Sequence, residues 1–256
     1  MKTKSFKIIC FIAIAVFAAA FSHAEQHVGP ERLFSRGNDY YEKGEYDKAI
    51  EEYENVLATG KSSGNLYYNL GGAYFKNGEL GKSILNYERA KYIMPRNGDL
   101  NTNLRFAQAM VKGKIMPARS IWSWMPLRAY SKSFTINELT LLSSGMYIVI
   151  LVLLLLALVW PGGKSYTLTG AILLFVFIVC NTAIIWHKAR DVKTGGVTIV
   201  PRAEAFFGPF DTATKFFTLN EGDKVNVVKC KGDWCKVVRM DGKVGWIHKD
   251  EVEKII

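Results

Sequence analysis

Three strings in this chain end as a phosphate-binding loop ends: Gly60-Lys61-Ser62, Gly81-Lys82-Ser83 and Gly163-Lys164-Ser165. Such a loop also needs the first glycine of Gly-x-x-x-x-Gly-Lys, so that backbone N–H groups can close around the phosphates. Asn55, Lys76 and Leu158 stand at that place, which argues against nucleotide chemistry. Beyond His23, the histidines are His27, His187 and His248, too scattered to form a Ser/His/Asp or Cys/His set. Gly60-Lys61-Ser62-Ser63-Gly64 matches Gly-x-Ser-x-Gly but follows no strand, as a nucleophile elbow must, and His-Glu-x-x-His and haem-attachment strings are absent. Glu51, Glu52 and Glu54 form a charge run of the kind that lines a solvated helix face. The residues point to a protein that is not an enzyme and holds no cofactor or metal. One pair carries possible covalent chemistry. Cys230 and Cys235 flank Lys-Gly-Asp-Trp where two strands are expected to turn. A hairpin would bring them within bridging distance if its register placed them opposite each other, which spacing alone does not decide.

The elements that surround these residues are read from periodicity. Gly37 recurs as Gly71, Tyr40 as Tyr74, Gly44 as Gly78, Tyr53 as Tyr87, and Ala49 and Val56 as Ser83 and Ala90. Pro95 closes the second copy. Small residues where helices touch, aromatics at packing positions and a terminal Pro resemble the tetratricopeptide (TPR) repeat. The expected layout is a TPR domain over residues 30–112, with repeats 30–63 and 64–97 and a capping helix around Leu100, Leu104, Ala107 and Val111. Stacked helical hairpins present a concave face to other proteins. In this register Phe34, Asn38, Tyr41, Asn65, Tyr68, Asn69 and Phe75 face the concave side. TPR domains that grip a peptide C-terminus often place Asn where Asn38 and Asn69 stand, so that an amide can bond the ligand backbone. The same amides could equally be satisfied within the helix pair. Phe34, Asp99 and Asn103 occupy positions where basic clamp residues would be needed, so an extended segment is expected rather than a terminal carboxylate.

The remaining segments concern a membrane. Residues 1–24 combine three lysines, an apolar run and Ser22-His23-Ala24, the layout of a secretory signal. Two apolar stretches, expected as spanning helices over 139–160 and 166–187, are separated by Pro161-Gly162-Gly163-Lys164-Ser165. Thr135-x-x-Glu138 is a capping box that starts the first. Residues 112–193 hold nine basic and two acidic side chains, against eleven and twelve in 25–111. The basic excess, including the linker 113–138 with Trp122 and Trp124, therefore suits lipid headgroups and not nucleic acid. Orientation is contested. An exported N-terminus puts both soluble parts outside the cytoplasm, whereas the charge flanking the hairpin favours the reverse. The leading segment engages the export machinery first, so extracytoplasmic domains on a multi-pass inner-membrane protein are expected.

Residues 194–256 read as β structure, with five short strands at 197–200, 216–219, 224–229, 234–240 and 243–247 separated by turn residues. A small closed barrel is expected. Gly222-Asp223-Lys224-Val225, Gly232-Asp233-Trp234 and Gly245-Trp246-Ile247, with Gly208-Pro209 before them, resemble the bacterial SH3 domain. In some cell-wall hydrolases such domains bind peptidoglycan peptides through an aromatic groove, so the resemblance implies Phe206, Phe207 and Trp234 as ligand contacts. Packing within a small core is the competing role for Trp234.

The order of parts resembles the TPR/SH3 membrane protein of the Bacteroides aerotolerance (Bat) operon family. That resemblance implies protein partners in an envelope stress complex, among them membrane proteins with von Willebrand factor A domains. Three functions stay open on these residues: a scaffold acting through the TPR groove, a peptidoglycan sensor or tether acting through the SH3-like domain, and an exported chaperone-like helper for assembly of a membrane complex.

Overall fold

The computed structural model describes residues 29–113 and 130–256. The signal segment and the linker residues Trp122 and Trp124 lie outside them. Five helices come first: α1 (Pro30–Glu42), α2 (Tyr46–Ala58), α3 (Gly64–Lys76), α4 (Leu80–Ile93) and α5 (Gly98–Met110). They form two antiparallel hairpins and one further helix. The glycine of each repeat has a steric cause. A Cβ on Gly37 would meet the Tyr53 ring at 2.5 Å, and one on Gly71 would meet the Tyr87 ring at 2.7 Å. Each hairpin turns through a left-handed glycine, Gly44 at φ 77° and Gly78 at φ 86°. Ser63 caps α3 by accepting from the Leu66 N–H, and Asn97 caps α5 by accepting from Leu100.

Two helices long and apolar enough to cross a membrane follow, α6 (Ile136–Val159) and α7 (Lys164–Thr194), joined by a 3-10 turn at Pro161–Gly163. Thr135 and Glu138 form the capping box at the start of α6. Asn181, 1 % exposed, donates to the Leu139 carbonyl at 3.0 Å and to Ser143 Oγ at 2.6 Å. A buried amide without such partners would be costly in apolar surroundings, so these bonds set how the two helices pair. The second helix does not stop near residue 187 as expected. It runs to Thr194 and passes into a strand with no linker.

The C-terminal part is one antiparallel sheet of β1 (Gly195–Thr198), β2 (Arg202–Phe206), β3 (Lys215–Asn220), β4 (Lys224–Lys231), β5 (Trp234–Arg239), β6 (Val244–His248) and β7 (Val252–Lys254). Their order is β3-β2-β6-β5-β4-β1-β7. The end strands β3 and β7 do not pair, so the sheet is an open ladder where a closed barrel was expected. Two strands escaped the sequence reading. β2 is Arg-Ala-Glu-Ala-Phe, poor in β-branched residues, and β7 is very short. Ala203, Ala205, Phe217, Leu219, Val225, Val227, Val237 and Ile247 form its core.

Sheet and helices share a second core. Val197 of β1 and Ile255 beyond β7 are buried among Ile84, Leu85, Leu100 and Leu104. Helix α4 starts with no side-chain cap of its own. Its Gly81 N–H instead donates to the Glu221 carboxylate at 2.8 Å, so the sheet supplies a negative charge to the positive end of the helix. Lys224 pairs with Glu88 at 2.9 Å. At the far end of the helical stack, Arg96 pairs with Glu138 at the start of α6.

Candidate functional site

The inner helices α1, α3 and α5 align their side chains along one concave face. Asn65 is exposed there, and Phe34, Asn38, Tyr41, Tyr68, Asn69 and Phe75 are half-buried. The two amides expected to meet a ligand bond to each other. Asn38 Oδ1 accepts from Asn69 Nδ2 at 2.9 Å and from the Tyr53 hydroxyl at 2.7 Å. Tyr53 lies beneath them at 1 % exposure, and burial pushes its hydroxyl up to about 12. The amide pair thus locks α1 to α3 and satisfies a buried phenol. Asn38 Nδ2 and Asn69 Oδ1 take no further bond among the described residues, and these ends are what a ligand backbone would find.

Residues outside the expected set complete the groove. Asn103 Nδ2 donates to the Tyr68 hydroxyl at 2.9 Å. Asn103 follows Asn69 by one repeat length, so the register contained the signal. Phe106, 60 % exposed, packs at a tilt against Phe75 with ring centroids 5.7 Å apart. Met110, on the same face one turn further, is also exposed. Tyr46 packs edge-on against Tyr41. Gly72 leaves the floor bare between the Tyr41 and Tyr87 hydroxyls. The surface combines aromatic rings with short amides and no basic clamp. It can hold an extended chain by backbone hydrogen bonds and ring contact.

A second aromatic group lies on the sheet. Phe206 meets Trp234 edge-on at 5.5 Å, and Trp234 lies against the His248 ring at 4.0 Å. Trp234 is consequently only 9 % exposed and offers a ligand little open surface. Asp211 of the β2–β3 loop stands 3.7 Å from His248 Nε2. The open aromatic surface is next to it, where Phe207 packs on Phe216 with ring centroids 4.3 Å apart, and Phe210 of the same loop is exposed. Phe210, Phe216 and His248 were not singled out from sequence, because loop and edge residues follow no period. Cys230 and Cys235 are cross-strand partners in β4 and β5, disulfide-bonded with Cα atoms 4.0 Å apart. The bridge closes the turn that carries Asp233, whose carbonyl accepts from the Lys249 N–H.

No cluster of three metal-ligating side chains occurs among the described residues. Comparison with known families gives two matches. Residues 37–78 match the model of the TPR repeat, and residues 200–254 match that of the bacterial SH3 domain. A search of curated proteins gives no match. The chain therefore combines a protein-interaction repeat with a domain of a kind associated with cell-wall binding, and the two are packed against each other.

Proposed function

We propose that the chain is a non-catalytic, membrane-anchored scaffold whose TPR groove binds an extended segment of a protein partner. The observation that carries this reading is the Phe75–Phe106 pair, which leaves a large apolar ring exposed beside unspent amides on the concave face. The anchor in this reading is the α6–α7 hairpin. Because α7 enters β1 directly and β1 packs on α4, both soluble parts stand at the open end of the hairpin, on one side of the bilayer. We place that side outside the cytoplasm, following the leading apolar segment. An envelope stress complex of the aerotolerance type, with von Willebrand factor A-domain proteins as partners, is the setting that the order of domains favours.

The second reading is a peptidoglycan-binding sensor or tether, favoured by the exposed Phe207 and Phe210 on the SH3-like domain. One experiment separates the two. The full chain, crosslinked in cells and solubilised in mild detergent, is compared with Phe106→Ser/Asn65→Ala and Phe207→Ala/Phe210→Ala variants. The scaffold reading expects the first variant to lose partner recovery about tenfold, the worth of one or two satisfied contacts. It expects the second variant to keep that recovery. Unchanged recovery in the first variant, with loss of retention on insoluble wall material in the second, establishes the tether.

A further inference from the structure

We infer that the outer face of the β4–β5 hairpin, carrying Lys229, Lys231 and Lys236, docks on the anionic phospholipid headgroups around the helical hairpin; this rests on the membrane-anchored reading above.

The first support is direction. Helix α7 passes directly into Gly195, the first residue of β1, which pairs with Asn226 of β4. β4 is antiparallel to β1, so the residues beyond Asn226, Val227 to Lys231, run back past Gly195 along the last turns of α7. At about 3.4 Å per residue this is roughly 17 Å of strand. The tip of the hairpin is thereby carried toward the end of α7 where Trp186, Arg190 and Lys193 leave the apolar run. No linker intervenes that could let the sheet turn away.

Charge is the second support. Lys229 and Lys236 are direct cross-strand partners. Like charges placed opposite each other destabilise a sheet, and neither is in an ion pair among the described residues. Lys231 lies two residues along the same face and is exposed. Lys229 Nζ stands 5.7 Å above the ring of the half-buried Trp246, itself the cross-strand partner of Lys236. The outer face of β4, β5 and β6 here presents lysines around an indole, with Asp233 in the turn and Asp211 beside His248 as acids near its edge. An anionic surface at headgroup level relieves the lysine repulsion, and the indole suits the same depth. The Cys230–Cys235 bridge sits between the lysine pair and the turn and holds this tip in shape.

The test uses the full chain in nanodiscs of phosphatidylcholine alone or with phosphatidylglycerol, read by hydrogen exchange of the amides of residues 228–236. Docking slows their exchange about fivefold in the anionic discs, the worth of one lysine near such a surface. The slowing is absent in phosphatidylcholine, in ~1 M salt where screening reaches about 3 Å, and in the Lys229→Gln/Lys231→Gln/Lys236→Gln variant with its disulfide intact. Equal exchange in the two disc types, with the chain incorporated in both, overturns the proposal. So does equal protection in phosphatidylcholine discs by soluble glycerol phosphate, which would assign the face to a free anion. A chain that does not co-elute with either disc defeats the anchoring itself.

Discussion

The Arg89 guanidinium joins the helical stack to the end of the sheet: Nε donates to the Ile255 carbonyl at 3.0 Å. Its Nη2 donates to the Lys254 carbonyl at 3.0 Å and to the Glu253 carboxylate at 2.8 Å. One planar group thus serves three acceptors, on and just beyond β7, far away in sequence. Arg89 thereby ties the helical stack to the C-terminal end of the sheet.

Removing that fork tests the coupling. Arg89→Ala should lower the stability of the docked state by about 2 kcal/mol, since a charge-assisted bond and two carbonyls lose their donor. Arg89→Lys should restore little of it, because an ammonium cannot reproduce the fork. Denaturant midpoints of the purified chain, with hydrogen exchange at β7, measure both. An unaltered midpoint in Arg89→Ala would show that the apolar contact of Val197 and Ile255 suffices alone.

Gly81 tests the same interface by shape. An added Cβ would lie 2.6 Å from the Thr198 carbonyl and 2.9 Å from Ile199 Cα, both backbone atoms that cannot swing aside. Gly81→Ala is expected to raise amide exchange in β1 and β7 about tenfold while α1 and α2 keep their protection. Unchanged exchange at β1 would mean that the helix can slide to accept the methyl.

Alkaline pH should loosen the repeat helices. Burial holds the Tyr53 hydroxyl at about 12, against an ordinary 10.0. Tyr74 and Tyr87 are raised by burial as well. A raised value means that the fold favours the protonated form, so this contribution is complete below pH 10 and declines as pH rises toward 12. Phenolate absorbance of these tyrosines should appear together with loss of helical circular dichroism, and Tyr53→Phe should remove part of the pH dependence. Early titration without unfolding would refute the link.

The Cys230–Cys235 bridge closes a very short loop, which in the chain-entropy account contributes about 2 kcal/mol. Alkylation before reduction should leave both cysteines unmodified, while reduction followed by alkylation adds two labels and lowers the unfolding midpoint of the sheet. Labelling of either residue in the unreduced chain would count against the pair.

Much of this architecture was legible in the sequence because its causes are local. The helical hairpins follow from a repeated Gly and Tyr, and the structure shows each glycine pressed against its own tyrosine. The capping box at Thr135 and the turn glycines are likewise short-range. The groove was partly legible: the repeat register placed Phe75 and Asn69 on the inner helices, and one further step of the same register reaches Asn103. Phe106 was missed because its counterpart one repeat earlier is Gly72, so no repeated aromatic marks the position. β2 escaped because its alternation is carried by alanines, which are small enough for the core and have little preference for a strand.

By itself, then, the sequence determined the helical repeat, the two apolar helices and the β-rich C-terminal part, since periodicity, apolar length and turn chemistry act over a few residues. Only the tertiary structure decided that Asn38 and Asn69 spend part of their hydrogen-bonding capacity on each other and on Tyr53. It alone decided that Glu221 caps a helix 140 positions earlier in the chain, and that α7 runs without a break into the sheet. Those outcomes depend on which surfaces meet once the core closes. A carboxylate carries no mark of the distant helix end it will satisfy, and burial, not spacing, selects its partner.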